Sequence, residues 1–462
     1  MIPIDAISGP LTRRDVLRVG AIPFLGLSLP KLLSAEEESA ASSRKSVKSC
    51  IVIYQYGGLS QIDSWDPKPD GPVDFRGPYK PIATAVPGFH VGELMPRLAS
   101  LADRYAVIRS MSHNIPVHDI ANAMLLAGQS LPARDAPSIG AIVSKLRPST
   151  AGVPSHVWLQ KFGGGAMPPE SAYLSGGFLG SGHAPLVVGR SYDDHPDNPN
   201  FRVDAFDLAN GLTQDRVRDR VGLLSAMESD PVDRQGSRSI DNFRSRSLEL
   251  IAGASSRQAF DINLEPGFVR DHYGRNPLGQ NLLLARRLIE AGVRLVNVVG
   301  WCGLAPGEPF VSVETWDMHG NAGVNIFGDG WNGLGWALPR CDQGVAALLE
   351  DLEQRGLLDT TLVVLVGEFG RTPRISKGAV HMGRDHWARC YSAMLAGAGV
   401  RGGAIYGSSD KSAAYVKDRP VSPEDFAATI LHALDIPPGT PIHPDGFSVR
   451  ASTGNPIVEL FS

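Results

Sequence analysis

Cysteine is scarce in this 462-residue chain: there are four, Cys50, Cys302, Cys341 and Cys390, with no two in CxxC spacing. That excludes a thiolate zinc site and a dense disulfide framework. Long apolar runs are missing too: no uncharged stretch reaches the ~20 residues that a membrane-spanning helix needs, so no membrane span is expected. Nor does one sign of charge dominate. The formal net charge is −4 and no basic stripe with interleaved aromatics occurs, which argues against nucleic acid as a partner. What remains is a chain with 43% hydrophobic residues, able to bury a large core; its length suits about three domains or, equally well, one large α/β domain with insertions.

The first residues differ from the rest. Thr12-Arg13-Arg14-Asp15-Val16-Leu17 precedes a short apolar run, 19–29, broken by Pro23 and followed by Lys31 and small residues around 35–41. Twin arginines ahead of a modest apolar segment mark a Tat export signal. Residues 1–35 are therefore expected to engage the Tat translocase and direct the chain to the periplasm or beyond it. Residues 36–48, rich in Glu, Ser and Lys, read as a solvated linker.

Beyond the linker, apolar β-branched runs alternate with helical spacing. Strands are expected at 49–56, 105–109, 156–159, 295–299, 362–366 and 391–396. A helix over 341–355 carries Val345, Leu348, Leu349 and Leu352 on one face, and the stretch 282–300 repeats a helix, the stop Gly292 and a strand. A helix at 96–104 is expected, and another from His118 to the stop Gly128, with Val117, Ile120, Ala121, Met124 and Leu125 as its buried face. Gly- and Pro-rich loops fill 163–200, and charged helical segments at 213–229 and 240–260 complete an insertion over about 163–260. The pattern implies an α/β fold over 49–462 with a mainly parallel central sheet flanked by helices.

Ligands of such sheets bind at the carboxyl ends of the strands. Four clusters fall in loops of that kind: Asp317 with His319, Glu368 with Arg371, the run Arg384-Asp385-His386, and His113 with His118. In extended backbone Asp317 and His319 share one side, which suits either a pair of metal ligands or a satisfied loop pair. His118 opens a helix, where the macrodipole disfavours imidazolium; it is either a neutral ring fit for ligation or nucleophilic work, or a cap residue bonded to backbone. Arg109, Arg371 and Arg384 are candidates for holding an anionic substrate.

Several strings taken together, YGGLSQIDSWDPKPDGPVDFRGPY, VIRSMSH, LLLARRLIEAGVRLVNV, TWDMHGN, DLEQRGLLDTTLVVLVGEFGRTPRI, GRDHW and AGAGVRGGAIYGSSD, resemble a bacterial, Tat-exported, sulfatase-related family, domain of unknown function 1501. More widely, the chain resembles the alkaline-phosphatase and sulfatase superfamily. That resemblance implies an alkaline-phosphatase-like fold and a site built from Asp317, His319 and His386 as ligands of a single divalent metal, Zn²⁺ in preference, with Mn²⁺ as the alternative. Glu368-Phe369-Gly370 is similar to the superfamily's Asp-His-Gly, with the histidine lost, and His118 falls in the nucleophile's place. No Cys or Ser there can become formylglycine, and Gln55 to Gly58 stand where a first-strand acidic ligand is expected. The implied activity is hydrolysis of a phosphate or sulfate ester, on an anionic ester or sulfated glycan, with Glu368 and His118 catalytic. The alternative is a non-catalytic protein of the same fold that binds sulfated or phosphorylated polymers.

Overall fold

The computed structural model describes residues 47–206 and 254–461, apart from 151, 165–166, 321–322, 378–380 and 444, together with 21–22, 27–28, 213, 216, 219–220 and 222–223. The chain divides into two units, 1–46 and 47–462. In the first, Ala21–Ile22 pairs antiparallel with Leu27–Ser28; the rest of the expected export signal, and the linker up to residue 46, lie outside the described residues. So do most of the charged helical segment expected at 213–229 and the part before residue 254 of the one expected at 240–260, whose end is a helix, Ala254–Phe260.

Eight strands of the second unit form one sheet: β1 Ser49–Tyr54, β2 Tyr105–Met111, β3 His156–Leu159, β4 Leu186–Val188, β5 Leu295–Val299, β6 Thr361–Val366, β7 Tyr391–Ala396 and β8 Ile405–Tyr406, in the order β8-β2-β7-β6-β1-β5-β3-β4. All neighbours pair in parallel except around β7, which runs antiparallel to both β6 and β2. The sheet is therefore mainly parallel, and the ends of β1, β2, β5 and β6 share one edge.

Their uninterrupted apolar composition follows from burial on both faces. Ile51, Ile53, Val363, Leu365, Val296 and Val298 point into one core, which holds α3 (Pro277–Glu290) and α4 (Leu334–Gln354) through Leu282, Leu288, Val345 and Leu348. Cys50, Val52, Tyr54, Leu362, Val364 and Val366 point into the other, against α2 (Ile139–Leu146) and α5 (Pro423–Ala433) through Ile142, Val143, Phe426 and Ile430. Each fully buried Leu or Ile contributes about 1.5–3 kcal/mol, so the two layers hold the strand ends firmly. Among the described residues no helix is long and apolar enough to cross a membrane.

Three expectations are corrected. The helix expected at 341–355 starts at Leu334 and carries Pro339 inside it; a proline reads as a breaker, but here the helix continues through it without the one hydrogen bond that an N–H at 339 would give to the Gly335 carbonyl. The helix expected at 96–104 is a short helix, Pro96–Ser100, then a 3-10 turn, Ala102–Arg104. In α1 (His118–Ala127) Val117 and Ile120 face solvent, and the buried set includes His118 and Asn122. That helix turns a polar stripe inward, and the reason is the site it helps to build.

Candidate metal centre

Glu368 lies two residues past β6 and is fully buried. Because β6 pairs in register with β1, Val366 opposite Tyr54, the turn after β1 meets it, and the Gly57 N–H donates to Glu368 Oε1 at 2.9 Å. Gly57 has φ +108°, and a Cβ there would stand 2.2 Å from the Asp317 nitrogen, so only glycine lets the Asp317 loop come this close. His386 enters on a two-residue strand paired with Gly370–Arg371. His319 is held against Gly383, where a Cβ would meet the His319 carbonyl oxygen at 1.8 Å. Phe369 packs between two imidazoles, its ring centroid 4.8 Å from that of His118 and 4.6 Å from that of His386.

These elements bring His118, Asp317, His319 and His386 together, with one ligating atom from each lying within 4.8 Å of all the others. His319 Nε2 is 2.9 Å from Asp317 Oδ1, while His118 Nε2 and His386 Nε2 are each 3.2 Å from it; His319 Nε2 and His386 Nε2 are 2.7 Å apart. Donors at 2.0–2.1 Å around a tetrahedral ion stand about 3.3 Å from one another, so the spacing is near that of a coordination shell.

The ring tautomers strengthen this. His118 Nδ1 donates to Glu368 Oε1 at 2.7 Å, His386 Nδ1 to the Pro116 carbonyl at 2.9 Å, and His319 Nδ1 to Asp385 Oδ1 at 3.1 Å. Those oxygens only accept, so Nδ1 is a donor in each ring, and Nε2 is the atom each ring turns toward Asp317, free to offer a lone pair once it carries no proton. Three lone pairs and a carboxylate oxygen converge with a cation as their natural partner. The carboxylate and carbonyl behind the rings are the outer contacts that orient metal-bound histidines. The side chains of Asp317, His319 and His386 are 24%, 18% and 22% exposed against 5% for His118, so the cluster opens to solvent on one side.

The family model described as "Protein of unknown function (DUF1501)" matches residues 47–460. The chain belongs to that family. No curated protein matches it. Among solved structures it is similar to the PsFucS1 sulfatase from Pseudoalteromonas sp., at 12% identity over 94% of this chain and 75% of that one, TM-score 0.39. It is also similar to the phosphonate monoester hydrolase SpPMH from Silicibacter pomeroyi, at 12% identity, 90% and 76% coverage and TM-score 0.36. A third is a protein in the alkaline phosphatase superfamily from Vibrio parahaemolyticus, at 11% identity, 85% and 67% coverage and TM-score 0.38. Likenesses of this size carry no inference about chemistry, which rests on the side chains of this DUF1501 domain.

The expected anion-binding arginines are placed otherwise. Arg109 donates to the Trp65 and His90 carbonyls and lies 3.5 Å from Asp66, away from the cluster. Arg384 is fully buried, gripping Asp63 through Nε at 2.7 Å and Nη2 at 3.0 Å and donating also to the Phe75, Thr372 and Pro373 carbonyls. Both are structural. Arg371 does reach the cluster, donating to Asp317 Oδ1 at 2.5 Å, but its other donors go to the Gly57, Gly58 and Arg384 carbonyls. It stabilises the aspartate rather than offering a free fork to a substrate.

Two residues that sequence reasoning passed over stand nearby. The Tyr56 hydroxyl donates to Glu314 Oε1 at 2.5 Å, the Tyr56 ring meets the His118 ring edge-on, and the Glu314 carbonyl accepts from the Asp317 N–H at 3.0 Å. Glu314 directly precedes the TWDMHGN string and Tyr56 opens the YGG string, so proximity to those strings was the only signal.

Electrostatics reverse the expectation for His118. Burial alone lowers its pKa, but hydrogen bonds to Asp317 and Glu368 raise it to about 9, outweighing the helix terminus. Burial likewise raises the Asp317 carboxyl, yet Arg371 and the three imidazoles hold it far below the usual carboxylate range. His386 stays below its ordinary value, mainly through burial. The consequence is measurable. At pH 7 a metal entering the cluster displaces a proton from His118, so binding releases about one proton and affinity rises about tenfold per pH unit until it levels near pH 9. Calorimetry in buffers of different ionisation enthalpy checks this; pH-independent affinity between 7 and 9 contradicts it.

Proposed function

We propose that this chain is an exported, metal-dependent hydrolase of a phosphate or sulfate ester. The observation that carries the reading is the convergence of three Nε2 lone pairs and Asp317 Oδ1 at a solvent-reaching strand edge, each imidazole fixed by an acceptor behind it. Three imidazoles and a carboxylate suit Zn²⁺ or Mn²⁺ better than Mg²⁺ or Ca²⁺, which favour oxygen ligands. Asp317, His319 and His386 hold the ion, which when bound supplies positive charge for ester oxygens and lowers the pKa of water beside it. His118, set in its Nδ1–H tautomer by Glu368, takes a proton from the attacking group at Nε2 or completes the ligand set. Glu368, pinned by the Gly57 N–H, stabilises the imidazolium that results. The choice of an ester rests on the resemblance of Asp317, His319, Glu368-Phe369-Gly370 and His386 to the superfamily pattern.

One observation favours a second reading, a non-catalytic protein that keeps an ion and binds sulfated or phosphorylated polymers. With His118 included, four protein donors can close a tetrahedral shell, as in structural sites. Metal analysis of the purified protein, with a panel of aryl phosphates and aryl sulfates, separates the two. Turnover lost to chelation and restored by metal supports the hydrolase. Stoichiometric metal with no turnover leaves the second reading, and protein that takes up no metal removes both.

Export through the Tat translocase rests on Arg13 and Arg14. Changing both to lysine leaves the precursor in the cytoplasm when fractions are probed by immunoblot. Undiminished export of the double variant sinks that reading.

A further inference from the structure

One residue past the end of β5, beyond Gly300, the chain enters a cleft of about 350 Å³ lined by Tyr192, His195, Asp197, Trp301, Trp336 and Arg340, among others. It belongs to the same sheet edge as the metal centre: the Gly300 carbonyl accepts from Trp316 Nε1 at 3.1 Å, and Trp316 is the neighbour of Asp317. Both indole N–H groups of the cleft are committed to backbone, Trp301 to the Tyr192 carbonyl at 3.1 Å and Trp336 to the Gly303 carbonyl at 2.9 Å. The indoles therefore offer a ligand apolar surface and no donors. At the rim Tyr192 stacks on Phe310, ring centroids 4.1 Å apart and 13° from parallel, with both rings over a third exposed.

The polar groups are unusual in what they lack. The Arg340 guanidinium lies over the Trp336 ring, 3.2 Å from its centroid, and donates Nη1–H to the Trp336 carbonyl at 2.9 Å. Among the described residues no carboxylate pairs with it, and burial pulls its pKa below the ordinary arginine value. A partly buried cation without a counter-charge is costly, and an anion removes the cost. Arg275, also at the cleft, is already held by Asp271 at 2.5 Å. His195 Nδ1 is buried with no hydrogen-bond partner, and the Asp197 carboxylate lines the same cleft, close enough to act electrostatically on His195 and on Arg270. A carboxylate acceptor calls for hydroxyl donors and repels a ligand rich in phosphate.

We infer that this cleft binds a sugar ring bearing a single anionic substituent, sulfate or phosphate, which pairs with Arg340 while ring hydroxyls meet Asp197 and His195 and an apolar ring face lies on the aromatics. A nucleotide triphosphate fits less well beside Asp197, and a purely apolar ligand leaves Arg340 uncompensated. This extends the ester-hydrolase reading by naming what lies next to the cleaved bond, and it rests on that reading only for that placement. Binding in the cleft is measured without turnover.

The test titrates the full metal-loaded chain with a singly sulfated disaccharide, the same disaccharide phosphorylated, the unmodified parent sugar and ATP. One or both of the singly charged sugars bind, and the parent sugar binds about tenfold or more weakly. Arg340→Gln and Trp336→Leu each lose about tenfold or more in affinity for the charged sugar while their metal content, a check on the fold, stays at that of the unaltered protein. Unchanged affinity in both variants overturns the inference, as does failure of the unaltered protein to bind either charged sugar, or tighter binding of ATP. Absence of aryl ester turnover in the unaltered protein, with the sugar still bound, removes the hydrolase reading and leaves the cleft assignment standing.

Discussion

Replacing His319 or His386 by alanine removes stoichiometric metal from the purified protein and leaves the sheet folded. Both side chains are partly exposed and sit on loops outside the two apolar layers, so the truncation costs the core little. Each loss deletes one of four converging donors and frees its orienting acceptor, Asp385 or the Pro116 carbonyl. Changing an outer contact of a metal site typically costs about 10–100-fold in affinity, and deleting a ligand itself costs more. The alanine variants should therefore emerge metal-free from a desalting column on which the unaltered protein keeps its ion. An unchanged far-ultraviolet circular dichroism spectrum confirms the fold. If both variants hold metal like the unaltered protein, the cluster is not the site.

The frame of that site was legible because burial on both faces writes itself into composition. Residues 156–159, 295–299 and 391–396 were bounded as the structure has them, since each is an apolar run closed by a glycine or polar turn. The direction of β7 was not legible: an interior antiparallel strand between two parallel neighbours is as apolar as they are. Asp317, His319 and His386 were joined into one ligand set only through the resemblance to the superfamily pattern, because local sequence left Asp317 and His319 readable as a satisfied loop pair as well.

The arginines show where this fails. Whether Arg384 is a free fork or a buried pair depends on Asp63, 321 positions away, and local sequence carries no trace of that pairing. His118 fails in the same way. The local feature, a helix N-terminus, argues for a lowered pKa, while the two carboxylates that decide it arrive from 199 and 250 residues downstream. The exposure of Val117 and Ile120 follows from the same fact: α1 rotates to aim His118 at Asp317 and Glu368, overriding its apolar spacing.

Glu368→Gln decides what His118 does. The substitution keeps the shape, so the two apolar layers and the β1–β6 register should persist, but it removes the charge that receives His118 Nδ1–H at 2.7 Å and the Gly57 N–H at 2.9 Å. An amide nitrogen then faces one of those donors, and His118 loses much of what lifts its pKa to about 9. The pH at which metal affinity levels off should fall toward the ordinary imidazole range. If His118 is a metal ligand, affinity at high pH drops about 10–100-fold and any ester turnover returns when metal is supplied in excess. If His118 is instead the proton acceptor, metal stays bound and kcat falls about 100- to 10,000-fold with no rescue by metal, because the imidazolium formed during attack has lost its counter-charge. Metal titration and steady-state kinetics on the one variant read both quantities. A Gln variant that matches the unaltered protein in both would make the Glu368 to His118 hydrogen bond a packing detail and would take His118 out of the site's chemistry.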